Sequence, residues 1–295
     1  MEMKDIKEIV VISGKGGAGK TTITASLADM IPGKIIVDAD VDAADLYILL
    51  KPEKIRGTTF TGKGVAVIDN ERCISCRRCL EMCRFHAIVV NGEKYRVDEF
   101  SCEGCTLCRL ACPVNAITMK ERIIGEWYTS VTEWGDFVYA RLKPGAENSG
   151  SLVAMVKRQA KLRAQEKNID LLLIDGPPGI GCPVISAISG VNLAIIVTEP
   201  TYSGISDLER VFQLTTHFKI KSGIVINRFD INLENTKEIE DFARQNRAPV
   251  YAKIPHSDCI REAISQRDLP SRHCRQLAEP LVDLYEKIKT ELEGI

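Results

Sequence analysis

The 295-residue chain is poor in aromatic residues (6%) and holds four histidines, and its 39 lysines and arginines are matched by 40 aspartates and glutamates. A formal net charge of −1 leaves no electrostatic case for nucleic-acid binding. No apolar run reaches the roughly 20 residues of a membrane-spanning helix, so membrane insertion is not expected. No signal peptide is read in the opening MEMKDIKEIVVIS, which runs straight into a strand-like stretch, and the expected location is cytoplasmic. Eleven cysteines in such a chain are not expected to form disulfides; a reducing compartment points them to metal or catalysis. Eight of the eleven fall between Cys73 and Cys112, which marks a separate unit inside the chain.

Residues 8–12 (EIVVI) are a short apolar, β-branched run followed by a Gly-rich loop. TTITASLADMI then shows helix-like spacing at Ile23, Leu27, Met30 and Ile31, and KIIVDAD reads as a strand ending in acids. This β–loop–α–β order opens a parallel α/β domain. After about residue 152 the pattern returns. SLVAMVKRQAKLRAQEKN reads as an amphipathic helix, and DLLLID, LAIIVTEP, SGIVINR and APVYAKIP as strands, each followed by a helix. Between the two parts lie the cysteines and two hairpin-like pieces, AVIDNERC and AIVVNGEKYRVDEF, the second with the turn signal Asn91-Gly92. EWYTSVTEWGDFVYARL alternates as a strand does. The expected division is an α/β domain over 1–62 and 120–295, interrupted by an insertion over 63–119.

The glycine loop SGKGGAGKTT satisfies two templates. Gly14, Gly16 and Gly19 match a dinucleotide fingerprint, and acids about twenty residues on (Asp38, Asp40) suit a ribose. Gly14, Gly19, Lys20 and Thr21 match a nucleoside-triphosphate P-loop. Three features favour the second. Lys20 and Thr21 directly follow the last glycine, where a lysine reaches the β/γ-phosphates and a hydroxyl binds Mg²⁺. LLLIDGPPGIG ends a buried strand in Asp175, where a P-loop protein needs a carboxylate for Mg²⁺. No segment supplies a nicotinamide site.

GKGGAGKTT, with Lys15 directly after the first glycine, resembles the deviant Walker A motif of the MinD/ParA/Mrp class of P-loop ATPases, which more distantly includes the nitrogenase iron protein. VDADVDAADL, DGPPGIGCPV, TEPTYSG, VINR and IPHSD follow in that class's order, so the resemblance covers residues 1–60 and 152–295. It implies a P-loop NTPase fold, a parallel sheet with helices on both faces, and a Mg²⁺-dependent ATPase that is slow without its partner. It implies phosphate contacts from Gly14, Gly16, Gly17, Ala18, Gly19, Lys20, Thr21 and Thr22. Lys15 would reach across a nucleotide-sandwich dimer; a solvated loop lysine is the plain alternative. Mg²⁺ would sit by Thr21, Asp38 (through water) and Asp175, and Asp40 would orient or deprotonate the attacking water, with Asp42 and Asp45 as rivals. Asn227, Arg228 and the backbone around Pro255 resemble adenine contacts; a turn-capping asparagine is the alternative for Asn227. The stretch after Asp40, VDAADL, is shorter than in MinD.

Cys73, Cys76, Cys79 and Cys83 form C-x₂-C-x₂-C-x₃-C, and Cys102, Cys105, Cys108 and Cys112-Pro113 repeat it. This is the bacterial ferredoxin run, in which three close thiolates wrap one [4Fe–4S] cluster and the fourth serves the other. One cluster is expected on Cys73, Cys76, Cys79 and Cys112, the other on Cys102, Cys105, Cys108 and Cys83. Zinc prefers paired C-x₂-C pieces and is the weaker alternative. The whole chain therefore resembles a MinD-superfamily ATPase carrying an inserted small α+β ferredoxin-like domain. Arg84 stands where the pattern has proline, and Arg77, Arg78 and Arg84 bring positive charge that would favour the reduced cluster, unless they are simply solvated. His86 is expected to be scaffold. Cys182, in GIGCPV, has the spacing of an iron-protein cluster ligand, but PGAENSGSLV lacks the companion cysteine. Cys259 and Cys274 are expected as packing residues.

Three functions fit these parts. One is an ATP-gated electron-transfer protein acting through two [4Fe–4S] clusters. Another is an ATP-dependent carrier or assembly factor for iron–sulfur or other metalloclusters. The third is a partitioning or regulatory ATPase that senses redox state, which the mixed-charge ending EPLVDLYEKIKTELEGI disfavours. The expected partners are a second copy or a related ATPase in an ATP-dependent dimer, and a redox partner or client metalloprotein.

Overall fold

In a computed structural model, which describes residues 5–92, 94–146 and 149–294, β1 (Lys7–Ser13) feeds the glycine loop and α1 (Lys20–Met30), followed by β2 (Ile35–Asp38), α2 (Leu46–Leu50) and β3 (Glu53–Thr61). Next come β4 (Val65–Ile68), α3 (Arg78–Met82), β5 (Ile88–Asn91), β6 (Lys94–Val97), α4 (Leu107–Ala111) and β7 (Ile117–Lys120). The chain continues through β8 (Ile123–Thr132), β9 (Gly135–Leu142), α5 (Ser149–Lys167), β10 (Leu171–Pro178), α6 (Cys182–Ile188), β11 (Leu193–Thr198), α7 (Tyr202–His217) and β12 (Lys221–Asn227). It closes with α8 (Leu233–Gln245), β13 (Val250–Ile254), α9 (Asp258–Ser265), α10 (Pro270–His273) and α11 (Arg275–Glu293).

Two units divide the chain. The first holds the residues up to Gly57, Trp127–Arg141 and those from Ser149 on; the second holds Thr58–Glu126 and the short segment from Leu142. A nine-stranded sheet runs in the order β13-β12-β11-β1-β10-β2-β9-β8-β3. Every pair from β13 to β9 is parallel. Parallel strands are covered on both faces, and β11 (LAIIVT) is accordingly buried at every position. The alternating stretch over 126–142 is the β8–β9 hairpin, turned at Glu133–Trp134. The edge strand β3 is absent from the sequence reading. It is exposed at almost every position and carries Lys54 and Arg56, the charged edge that discourages further pairing but conceals the strand from a hydrophobicity pattern.

In the second unit β5 and β6 pair antiparallel as the Asn91-Gly92 signal requires, with Asn91 opposite Lys94 and Gly92 at φ 63°. Glu93 lies outside the described residues. AVIDNERC does not form a local hairpin. Its strand β4 pairs antiparallel with β7, at the far end of the unit. A repeat organises the rest: the first cysteine run, α3 and β5 recur in spacing as the second run, α4 and β7.

The expectation that no cysteines pair is corrected. Cys259 and Cys274 are not separate packing residues but a disulfide. The other nine cysteines are free.

Candidate functional site

At the end of β1 the backbone must turn sharply before α1. Gly17 (φ 81°) and Gly19 (φ 98°) adopt the left-handed conformation that this turn needs. A Cβ on Gly19 would also lie 2.4 Å from Asn227 Nδ2. That amide donates to the Ala18 carbonyl at 2.8 Å, so Asn227 buttresses the loop from the end of β12 and its Oδ1 accepts from Arg228 N. Gly14 packs against Asp207 of α7, and Ala18 is buried. The remaining loop residues, Gly16, Gly17, Gly19, Lys20, Thr21 and Thr22, line an open cavity of about 540 Å³ together with Asp40, Asp42 and Asp45. The first N–H groups of α1 have no intrahelical partner and make this an anion site.

Three acids gather beside it. β2 and β10 are in register with Asp38 opposite Asp175, and both side chains are buried. Thr21 and Thr24 donate to the two oxygens of Asp175 at 2.7 and 3.0 Å. Asp38 accepts from the backbone N–H groups of Asp40 and Leu46. Asp40 is buried and lies 3.7 Å from Lys20 Nζ, whereas Asp42 and Asp45 are exposed. Burial, then the charges of Asp175 and Asp40, hold the Asp38 carboxyl well above its usual range. Burial likewise raises Asp175, against the pull of Lys20 and the two hydroxyls, and pushes Asp40 up to about 6. The cluster is thus short of positive charge, as a Mg²⁺ site is before the ion arrives. Among the described residues no three Cys, His, Asp or Glu side chains converge as direct ligands of one ion. This donor set suits Mg²⁺ held by Thr21 and by waters.

Lys15 folds back onto its own chain. Its Nζ lies 2.5 Å from Glu199 Oε1 and 3.1 Å from the hydroxyls of Thr201 and Ser203. Arg228 shares the same carboxylate at 3.1 Å. Glu199 and Ser203 were missed in the sequence, although both lie in the TEPTYSG stretch. A second cavity, about 210 Å³, opens beyond Gly19 and Thr22 between Asn227, Arg228 and Pro255. Its further walls are Ile260 and Ile264 of α9 and Leu277 and Leu281 of α11. No local motif marks these four. Their apolar positions on exposed-looking helices were the available signal.

The second unit sorts its cysteines into two cavities. One is lined by Cys73, Cys76, Cys79 and Cys112, with Arg77 and Arg78 at its border. The other is lined by Cys83, Cys102, Cys105 and Cys108, with Glu103. Each cavity takes three cysteines from one run and the fourth from the other. Left-handed residues recur in step, Ser75 with Gly104, Arg77 with Thr106 and His86 with Asn115. Non-glycine residues in that conformation store strain of about 1 kcal/mol each, a cost that clusters at functional sites. The Ala116 N–H points at Cys112 Sγ, 3.2 Å away. Burial raises the Cys79 and Cys108 thiols. Among the described residues no three of these thiols converge on one ion; four cysteines per cavity are the donor number that a [4Fe–4S] cluster takes, one thiolate per iron. His86 is exposed and lines neither cavity, and Cys182 is exposed at the start of α6.

The CobQ/CobB/MinD/ParA nucleotide binding domain matches residues 9–270. An uncharacterized protein of Methanocaldococcus jannaschii is 31% identical over 289 residues, 96% of this chain and 97% of that protein. The fold is that of the septum site-determining protein MinD from Pyrococcus horikoshii, solved with Mg-ADP: TM-score 0.56 at 19% identity, over 96% of each chain. A ferredoxin of M. jannaschii is 36% identical over 58 residues, 18% of this chain and 75% of that protein. No helix among the described residues is long and apolar enough to cross a membrane.

Proposed function

The chain belongs to the CobQ/CobB/MinD/ParA nucleotide-binding domain family, and on that footing we propose that it hydrolyses ATP with Mg²⁺ and couples this switch to electron transfer through two [4Fe–4S] clusters. The observation that carries the second half is the sorting of eight cysteines into two four-cysteine cavities. Held by those thiolates, each cluster would supply a one-electron couple. Four protein thiols per site favour retention of the clusters over their delivery to a client.

In the α/β unit the loop amides and Lys20 would bind the phosphates, and the Thr21 hydroxyl and Asp175 would support Mg²⁺, which would supply positive charge against that of the phosphates. Asp40, kept close to Lys20 and raised to about 6, is ionised at neutral pH and accepts the proton of the attacking water. Lys15 is the residue that would leave Glu199 for the phosphates of a partner, a second copy or a related ATPase. A cation supplied in this way ties hydrolysis to association. Arg77 and Arg78 border the first cysteine site and would favour its reduced state, as Arg84 beside Cys83 would at the second.

Anaerobic reconstitution tests the reading. It predicts about eight irons and about eight sulfides per chain, with half lost in either Cys76→Ser or Cys105→Ser, and Mg-ATP turnover abolished in Lys20→Ala. Iron that moves wholesale to an apo-acceptor on ATP addition would contradict electron transfer in favour of cluster delivery. Iron bound at a single ion per site would contradict the clusters themselves.

A further inference from the structure

The walls of the 210 Å³ cavity are tied together by a covalent bond. Cys259 lies in the first turn of α9, and Cys274 immediately precedes α11. Their disulfide, with Cα atoms 5.8 Å apart, therefore joins the helix that bears Ile260 and Ile264 to the start of the helix that bears Leu277 and Leu281. The two ends of this bond are anchored unequally. On the Cys274 side, Ser271 and Arg272 of α10 donate to Asp29 of α1, and Arg272 also reaches Glu133. On the Cys259 side, α9 buries a single side chain, Ala263. Cys259 and Ile260 are only partly buried against the core, so the disulfide fastens the less buried wall to the one tied to α1.

We propose that Cys259 and Cys274 are a reversible dithiol–disulfide pair that sets nucleotide affinity, an inference that rests on taking this cavity as the nucleobase site because Asn227, Arg228 and Pro255, which resemble adenine contacts, line it. The oxidised pair holds α9 against α11 and preorganises the cavity, which lowers the ordering cost of binding. Reduction frees a 15-residue separation whose closure otherwise restricts the chain, and nucleotide leaves faster. The oxidant is a low-molecular-weight disulfide. Cys259 is half-buried and Cys274 is buried, so the Cys259 thiolate attacks first, breaks the reagent's S–S bond and expels one thiol. Cys274 Sγ then attacks Cys259 Sγ in the mixed disulfide and expels the second thiol. The pair gives up two electrons and two protons, and the reagent becomes two thiols. A dithiol reverses the exchange.

The test uses the full cluster-bearing chain under anaerobic conditions, poised in reduced or oxidised dithiothreitol, with thiols counted by alkylation and mass spectrometry. The probe is N-methylanthraniloyl-ADP. The oxidised protein is expected to bind it about fivefold tighter and release it correspondingly more slowly. Cys259→Ser and Cys274→Ser should behave as the reduced protein in both buffers. Equal affinity in the two wild-type states would overturn the switch while leaving the cavity's assignment standing, as would a pair that does not change state between the two buffers. Binding in neither state would overturn the assignment of the cavity itself.

Discussion

Lys15 and Arg228 share one largely buried carboxylate, that of Glu199. In the proposed dimer, the lysine that would serve a partner's phosphates is thereby held in its own chain until something displaces it. A charge-assisted contact of this partly exposed kind contributes about 1 kcal/mol. Glu199→Gln leaves Thr201 and Ser203 to hold Lys15, and the ATP-dependent dimer should then form at about fivefold lower protein concentration in sedimentation. An unchanged midpoint would show that no tether operates. Lys34 makes a second prediction. It is buried, donates to the Trp134 carbonyl at 2.7 Å, and burial lowers its pKa to about 8, from 10.5 in the unfolded chain. Between those values the unfolded state binds the proton more tightly, so stability rises with pH from about 8 to 10.5, and below that window the destabilisation is fully present. Lys34→Met should flatten this slope when denaturation midpoints at pH 7.5 and 9.5 are compared; a slope equal to wild type would contradict it. The loop residues were legible because phosphate chemistry dictates their types and spacing. The partner of Lys15 was not, because a contact between the loop after β1 and the connection from β11 to α7 exists only after the sheet has formed.

The elements with continuous apolar runs, β1, β10, β11 and β12, could be read directly, since a parallel strand covered on both faces leaves no other pattern. β3 could not, being an exposed, charged edge. Nor could the pairing of β4 with β7, which depends on the repeat closing on itself. In that unit one side chain holds two elements together. Asn70 accepts from Tyr95 N at 2.8 Å and donates to Tyr95 O at 3.1 Å, clamping β6, and the buried Tyr95 borders the first cysteine cavity. Asn70→Ala strands both backbone groups at a cost of about 2 kcal/mol. Iron retention should fall first at the Cys73, Cys76, Cys79 and Cys112 site, read as loss of one of two EPR signals. Equal loss at both sites would mean that the clamp serves the unit as a whole.

Across the whole molecule, the order of motifs revealed both the α/β unit and the cysteine repeat. The disulfide escaped because an argument from compartment was applied to all eleven cysteines together, although Cys259 and Cys274 lie far from the repeat. The joining of a nucleotide site to two cysteine sites in one chain has a consequence beyond either part. If ATP and electrons bias the same conformational equilibrium, each must shift the other's free energy. The direct measurement is an anaerobic redox titration of the reconstituted protein, followed by EPR, without nucleotide and with Mg-ATP or Mg-ADP. ATP, and not ADP, is predicted to move the potential of at least one cluster by about 59 mV or more, tenfold in the one-electron equilibrium. Intact clusters whose potentials are the same in all three conditions would contradict the coupling of nucleotide state to electron transfer.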